Sequence, residues 1–126
     1  MKRTPVVTTK APGAIGPYSQ GISSGEMVFV SGQTPLRADG SMASGGVAEH
    51  AEQCLANMRE ILIAAGLTMN DVVKTTVFMT DLGQFAAMNG VYGKHFSTPF
   101  PARSTVQVSA LPKGADVEIE AVAVRP

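Results

Sequence analysis

The chain has 126 residues, 44% of them hydrophobic and 16% charged, with ten lysines and arginines balancing ten aspartates and glutamates. That length suits one domain with its own core, and the apolar share excludes a disordered chain. An even charge balance with no basic run longer than Lys2–Arg3 argues against a nucleic-acid partner.

The amino terminus, MKRTPVVTTKAPG, carries no apolar stretch of signal-peptide length. Residues 4–9, TPVVTT, read as an edge strand, because Pro5 is tolerated only where no ladder donor is needed. APGAIGPYSQG, 11–21, is punctuated by prolines and glycines and reads as a loop. Alternation over 26–33, EMVFVSGQ, predicts a strand with Met27, Phe29 and Ser31 on one face and Val28 and Val30 on the other. TPLRADGSMASGG, 34–46, is a long surface loop.

From Val47 to Ala65 the period becomes helical. Val47, Ala51, Cys54, Leu55, Met58, Ile61, Leu62 and Ala65 form one apolar stripe, and Glu49, Glu52, Gln53, Arg59 and Glu60 lie mostly away from it. Gly66 is placed to cap this helix, with Leu67 folding back on its last turn. DVVKTTVFMTD, 71–81, is β-branched and strand-like. Asp81 suits the N-cap of a second helix with Leu82, Phe85, Asn89, Tyr92 and Phe96 on one face, ended by STPFP. Strands over about 102–110 and 116–124 complete the order β-β-β-α-β-α-β-β. Each helix has one apolar face, so both are expected on the same side of a single sheet. The other side then needs a cover, and in so small a chain a second copy is the natural one. High apolar content and low charge support that expectation.

No run approaches the roughly 20 apolar residues of a membrane-spanning helix. Cys54 is the only cysteine, so no intrachain disulfide is possible and a cytoplasmic setting is expected. It lies within an apolar stripe, as a structural thiol does. His50 precedes it by one turn, but two potential ligands do not make a metal site, and His95 suits a charge or cap at a helix end. Ser44-Gly45-Gly46 precedes a helix but lacks a preceding strand and the lysine of a phosphate loop.

Arg103 stands apart, two residues after Pro101 at the head of PARSTVQVSALPKG. Alternation puts it with Thr105 and Gln107 on one face; Glu118 and Glu120 share a face opposite Val117, Ile119 and Ala121. A salt bridge to one of these glutamates is the plain structural reading. A tight hairpin pairing Leu111 with Asp116 would instead leave Glu118 roughly 20 Å from Arg103. Either the two strands are not hairpin partners, or the site is completed by another chain. A half-buried guanidinium needs an anion. Without a protein carboxylate in reach, a ligand carboxylate held in a bidentate fork is the natural partner.

GPYSQG (16–21), VSGQTP (30–35), DVVKTTVFMTDL (71–82) and PARSTVQVSALPKGADVEIEAVAV (101–124) together resemble the RidA/YjgF family of reactive intermediate deaminases. The resemblance runs over nearly the whole chain, one domain over 1–126. It implies a chorismate-mutase-like α+β fold with a mixed sheet and two helices on one face, and a homotrimer with clefts between subunits. It also implies hydrolysis of 2-imino acids and their enamines to 2-keto acids and ammonia, with no metal or cofactor. The last strand would insert between earlier ones. Carried over, Arg103 grips the substrate carboxylate and Glu118 positions the attacking water. Tyr18, Ser31 and Gly32 line the cleft, with Asn89 near it. Thr105 replaces a frequent cysteine and acts through its main chain and shape. The segment between Tyr92 and Pro101 is shorter than in familiar members, which bears on the cleft rim. Other readings are a carboxylate-binding regulator, a deaminase of larger imines of the aminomuconate type, and a ribonuclease or translation inhibitor.

Overall fold

In the computed structural model, which describes residues 2–126, six strands form one mixed sheet. The elements run β1 (Thr4–Val6), β2 (Gly21–Ser24), β3 (Met27–Gln33), α1 (Val47–Ala64), β4 (Val72–Met79), α2 (Phe85–Tyr92), β5 (Ala102–Gln107) and β6 (Val117–Val124). The predicted element order is the observed one. β2, the second of the three N-terminal strands, falls in a stretch where periodicity marks no range.

The sheet order is β1-β2-β3-β6-β4-β5, so the last strand in the chain lies inside the sheet. β6 runs antiparallel to both β3 and β4, and β5 runs parallel to β4 at the edge. β5 and β6 are therefore not hairpin partners. The turn between them, a short 3-10 stretch at Pro112–Gly114, carries the chain across β4. β5 is also an edge strand with much of its surface exposed, not the entrance to a core.

Both helices cover one face. Val28 and Val30 of β3, Val77 and Met79 of β4, and Val117, Ile119, Ala121 and Ala123 of β6 meet Ala51, Cys54, Leu55, Met58, Ile61 and Leu62 of α1 in one core. α1 begins where the Glu49 carboxylate accepts the Gly46 N–H at 2.8 Å. It ends where Gly66, at φ +80°, lets the Leu67 amide return to the Leu62 carbonyl at 2.8 Å.

The second helix departs from its expected face. Asp81 caps a 3-10 turn, Leu82–Gln84, by accepting the Gly83 N–H, and α2 starts only at Phe85. Leu82 and Phe85 are exposed; Tyr92 is buried as expected, and Met88, one turn before it, points into the core beside it. Asn89 is half-buried on the flank, and Phe96 is buried beyond the helix end. The 3-10 turn shifts the helical phase, which periodicity alone does not register.

Among the described residues, no helix covers the other sheet face. Met27 and Phe29 are 41% and 43% exposed there, alongside Val122 and Val124 of β6. Among the described residues, no helix is long and apolar enough to cross a membrane.

Candidate active site

The site residues singled out by sequence form two groups. Tyr18, Ser31, Gly32 and Glu118 line a groove of about 860 Å³, together with Gln20, Gln33, Lys113 and Glu120. β3 and β6 build its floor. Val30 pairs with Ala121 but Gln33 pairs with Ile119, so β3 bulges at Ser31–Gly32. Such an extra residue bends the strand and re-aims its neighbours. The Ser31 hydroxyl donates to the Ser19 carbonyl at 2.6 Å, and its amide donates to the Gln20 carbonyl at 3.0 Å. Those two bonds fasten the loop that carries Tyr18 to the bulge.

Gly32 is required by a close approach. A Cβ at that position would meet the Glu118 carboxyl carbon at 2.8 Å, so the acid occupies the space a side chain would need. Half-burial pushes the Glu118 carboxyl above the usual carboxylate range, and the Glu120 charge adds to the shift.

The second group lies on the other face. β5 pairs Arg103 with Thr75 and Thr105 with Val77, on the side covered by the helices. Glu118 pairs with Phe78, and the residues flanking Phe78 on β4, Val77 and Met79, are buried on the helix side. Since successive side chains alternate, Arg103 and Glu118 face opposite sides of the sheet. Arg103 Nη1 donates to Asn89 Oδ1 at 2.7 Å, and its guanidinium carbon lies 4.7 Å from the Tyr92 ring centroid and 5.5 Å from that of Phe85. Tyr92 is fixed in turn by a 2.7 Å bond between its hydroxyl and that of Thr75. Burial raises the Tyr92 phenol above its ordinary value, which keeps the ring neutral beneath the cation. No carboxylate lies within 4.0 Å of Arg103 among the described residues. The expected internal alternative, a salt bridge to Glu118 or Glu120, is absent there.

Both histidines are engaged elsewhere. His50 Nδ1 lies 2.7 Å from Asp116 Oδ1, and its Nε2 lies 2.9 Å from the Ala43 carbonyl. His95 is buried rather than placed as an exposed helix-end charge: Nε2 donates to Glu52 at 2.6 Å, and Nδ1 accepts from Arg59 at 3.1 Å. Cys54 is fully buried, and desolvation pushes its thiol well above the ordinary range. No group of three or more His, Cys, Asp or Glu poised for a metal occurs among the described residues.

Gln20, Lys113 and Glu120 line the groove without having been assigned to it from sequence. Gln20 is buried and ties down residues 8–12, accepting the Thr8 amide at 2.8 Å and donating to the Thr8 and Pro12 carbonyls at 3.0 and 2.8 Å. Its signal was its place in a loop that otherwise had no anchor. Lys113 adopts φ 58° and ψ 24°, the left-handed region a lysine seldom enters, at the groove rim. Glu120 lines the groove beside Glu118; its shared strand face was the available clue.

The chain matches the model of the family described as endoribonuclease L-PSP over residues 8–125. It is 56% identical over 119 residues to the RutC family protein y4sK of Sinorhizobium fredii, covering 94% of each chain. It is 50% identical over 124 residues to the human 2-iminobutanoate/2-iminopropanoate deaminase, covering 98% of this chain and 90% of that one. The crystal structure of Escherichia coli TdcF with bound serine superposes with a TM-score of 0.91 at 47% identity, covering 98% and 99% of the two chains. With the β6 insertion, the bulged β3 and the PARS and VEIEA segments all in place, the chain belongs to the endoribonuclease L-PSP family, the RidA/YjgF group of reactive intermediate deaminases.

Proposed function

We propose that this chain hydrolyses short 2-imino acids and their enamine tautomers to 2-keto acids and ammonia, at sites formed between neighbouring copies of a homotrimer. The observation that carries the proposal is Arg103. It is oriented by a neutral amide and two aromatic rings, and no carboxylate of the described chain neutralises it. A small organic acid is the natural partner for such a fork. The activity named for the human relative, on 2-iminobutanoate and 2-iminopropanoate, supports that substrate class. The inter-copy arrangement is supported by Arg103 and Glu118 lying on opposite faces, and by the apolar sheet face that no helix covers.

The chemistry asks little of the protein. C2 of a protonated imine is already electrophilic, so holding it beside an oriented water supplies most of the acceleration. Arg103 of one copy binds the carboxylate, and Glu118 of the next copy faces the water. As the water oxygen bonds to C2, Glu118 takes its proton and the C=N electron pair moves to nitrogen, leaving a carbinolamine. Glu118 returns that proton to the amino group. Glu118, a carboxylate again, then takes the hydroxyl proton as C–O becomes double, the C–N bond breaks with its electron pair going to nitrogen, and ammonia departs. Tyr18 and Ser31 shape the groove around these atoms, and Gly32 leaves the acid its space.

The test couples the protein to a PLP-dependent dehydratase acting on threonine, which releases 2-iminobutanoate. The expected result is faster appearance of 2-oxobutanoate and a shorter lifetime of the imine. Unchanged imine decay at every protein concentration would overturn the proposal.

A further inference from the structure

We infer that His50 is a positioning residue for the groove: with a proton on each ring nitrogen it clasps both rims, and loss of one proton lets them loosen. The clasp rests on no assumed activity; its effect on substrate binding rests on the function proposed above.

The motivating observation is a ring between two acceptors. His50 Nδ1 lies 2.7 Å from Asp116 Oδ1, and Nε2 lies 2.9 Å from the Ala43 carbonyl. A carboxylate and a carbonyl only accept, so the ring makes both bonds only as an imidazolium. His95 needs no such charge, because Arg59 donates to one of its nitrogens and Glu52 accepts from the other. A neutral His50 has one donor for two acceptors. Its side chain is 13% exposed, so water does little to replace the bond that is lost.

Each bond holds one rim. Ala43 closes the loop after β3: its amide donates to the Pro35 carbonyl at 2.9 Å, and Leu36 bridges to Met42. Holding Ala43 therefore fixes Leu36, Ala38 and Asp39 along the groove. Asp116 ends the turn after β5, where Pro112 and Lys113 form the other rim and Lys113 sits in the left-handed region. A turn in so unfavourable a conformation depends on the contacts around it.

The charged and titratable groups near the ring come from every element that meets it. α1 carries Glu49 beside it and Cys54 one turn on. The loop brings Asp39 and Arg37, whose Nη1 and Nη2 donate to the Met42 carbonyl and the Ser44 hydroxyl on either side of Ala43. The turn brings Lys113 and Asp116, and β6 brings Glu118 on its far face. Asp116 alone among them bonds the ring in the described residues.

Both rims carry a trypsin site, Arg37–Ala38 and Lys113–Gly114, and Lys2 and Arg3 supply a reference for the protease itself. Cleavage rates, the His50 ring-nitrogen NMR signals and 2-oxobutanoate affinity by calorimetry are followed together from about pH 5.5 to 9.5. In the parent, loss of a His50 proton is expected to coincide with about tenfold faster cleavage at both rims and about threefold or more weaker affinity. His50→Phe is expected to be open at every pH. Asp116→Asn is the discriminating variant, since an amide accepts from a ring N–H or donates to a bare ring nitrogen. Its clasp is expected to stay shut in both protonation states, so the pH step disappears.

Four results would overturn the inference: rim cleavage that stays flat while the ring titrates, a ring in one unchanging protonation state across the range, His50→Phe cleaved as slowly as the parent, or Asp116→Asn with the parent's pH step. Rims that open with no change in affinity would equally overturn the clasp's role at the groove. Cleavage needs no turnover. A working clasp beside unchanged imine decay would sink the deaminase reading alone, and imine turnover with rims indifferent to His50 would sink this inference alone.

Discussion

Asn89 presents its side-chain carbonyl to Arg103 Nη1 at 2.7 Å, so the guanidinium is aimed by a dipole without being neutralised. Replacing that amide by an acid would change the site's logic. Asn89→Asp places a carboxylate at the same bond, and a competing internal anion is expected to weaken 2-oxobutanoate binding about tenfold or more. Asn89→Ala removes the guide but leaves the cation available, so its effect is expected to be smaller. Calorimetric titration of both variants checks the order. An aspartate variant that binds as well as the parent would show that Arg103 does not face the ligand.

Arg103 itself is held at a sheet edge by stacking and one hydrogen bond to the Asn89 amide, and among the described residues it has no ion pair to lose. Arg103→Ala is expected to leave the fold intact and to lower kcat/KM on 2-iminobutanoate by about 100-fold or more, since two charge-assisted bonds disappear, each contributing about 1.5–3 kcal/mol. Arg103→Lys keeps the charge without the fork and is expected to restore only part of the loss. Circular dichroism alongside the coupled assay separates a dead site from an unfolded one.

These positions show where sequence reasoning reached and where it stopped. The α1 stripe was legible because Ala51, Cys54, Leu55, Met58, Ile61 and Leu62 obey a 3.6-residue period and all pack into one core. The alternation that separates Arg103 from Ser104, and Glu118 from Ile119, was equally plain. Whether those two strands touch was not. Pairing depends on long-range contacts, and β6 settles between β3 and β4 instead of folding back on β5. Leu82 and Phe85 misled because a 3-10 turn resets the helix phase at a point where composition is still helical. Gln20 and Asn57 were invisible as anchors. A buried amide is recognised by the carbonyls around it, here Thr8 and Pro12 for Gln20, and Leu36 for Asn57.

The Glu118 carboxyl is pushed above the ordinary carboxylate range, first by burial and then by Glu120. The base form therefore grows in only as pH rises through that elevated value, and kcat/KM should fall on the acid side of it. Glu120→Gln removes the repulsion and is expected to move this acid limb to lower pH. Stability has the opposite sign. The folded state holds the proton more tightly than the unfolded chain, so stability is greatest below the unfolded value and declines as pH rises through the folded one. Glu118→Gln should consequently cut kcat by about 10²–10⁴-fold while making the protein more heat-resistant at neutral pH than the parent, an advantage that fades in acid. Thermal melts across pH, set beside the rate profile, check both signs.

Gly32 offers an independent route to the same acid. Gly32→Ala would thrust a methyl group against the Glu118 carboxyl group, whose carbon would lie 2.8 Å away, and a flexible acid tip gives way before the backbone does. The expected variant folds but loses rate as Glu118→Gln does, about 10²-fold or more. Normal activity in a well-folded Gly32→Ala would mean the acid is not needed where it stands.

Opposite-face placement of Arg103 and Glu118 makes a sharper prediction about assembly. If each site draws its arginine from one copy and its glutamate from the next, Arg103→Ala and Glu118→Gln are each inactive alone but complementary when mixed. In a cyclic trimer holding both kinds of chain, one of the three interfaces joins an intact arginine to an intact glutamate, whichever kind is in excess. Random reassembly of an equal mixture makes about three quarters of the trimers mixed, so about one quarter of parent activity should return. Unfolding and refolding the two variants together, against each refolded separately, reads this directly. Full silence in the co-refolded mixture would mean that the two side chains serve a single copy or different sites. Activity well above one quarter would mean that the two kinds of chain pair with each other in preference to their own kind on reassembly. The open sheet face bearing Met27 and Phe29 gives the interface its second check: Phe29→Asp should weaken assembly and silence the site together, though Phe29 touches neither Arg103's stacking rings nor the groove.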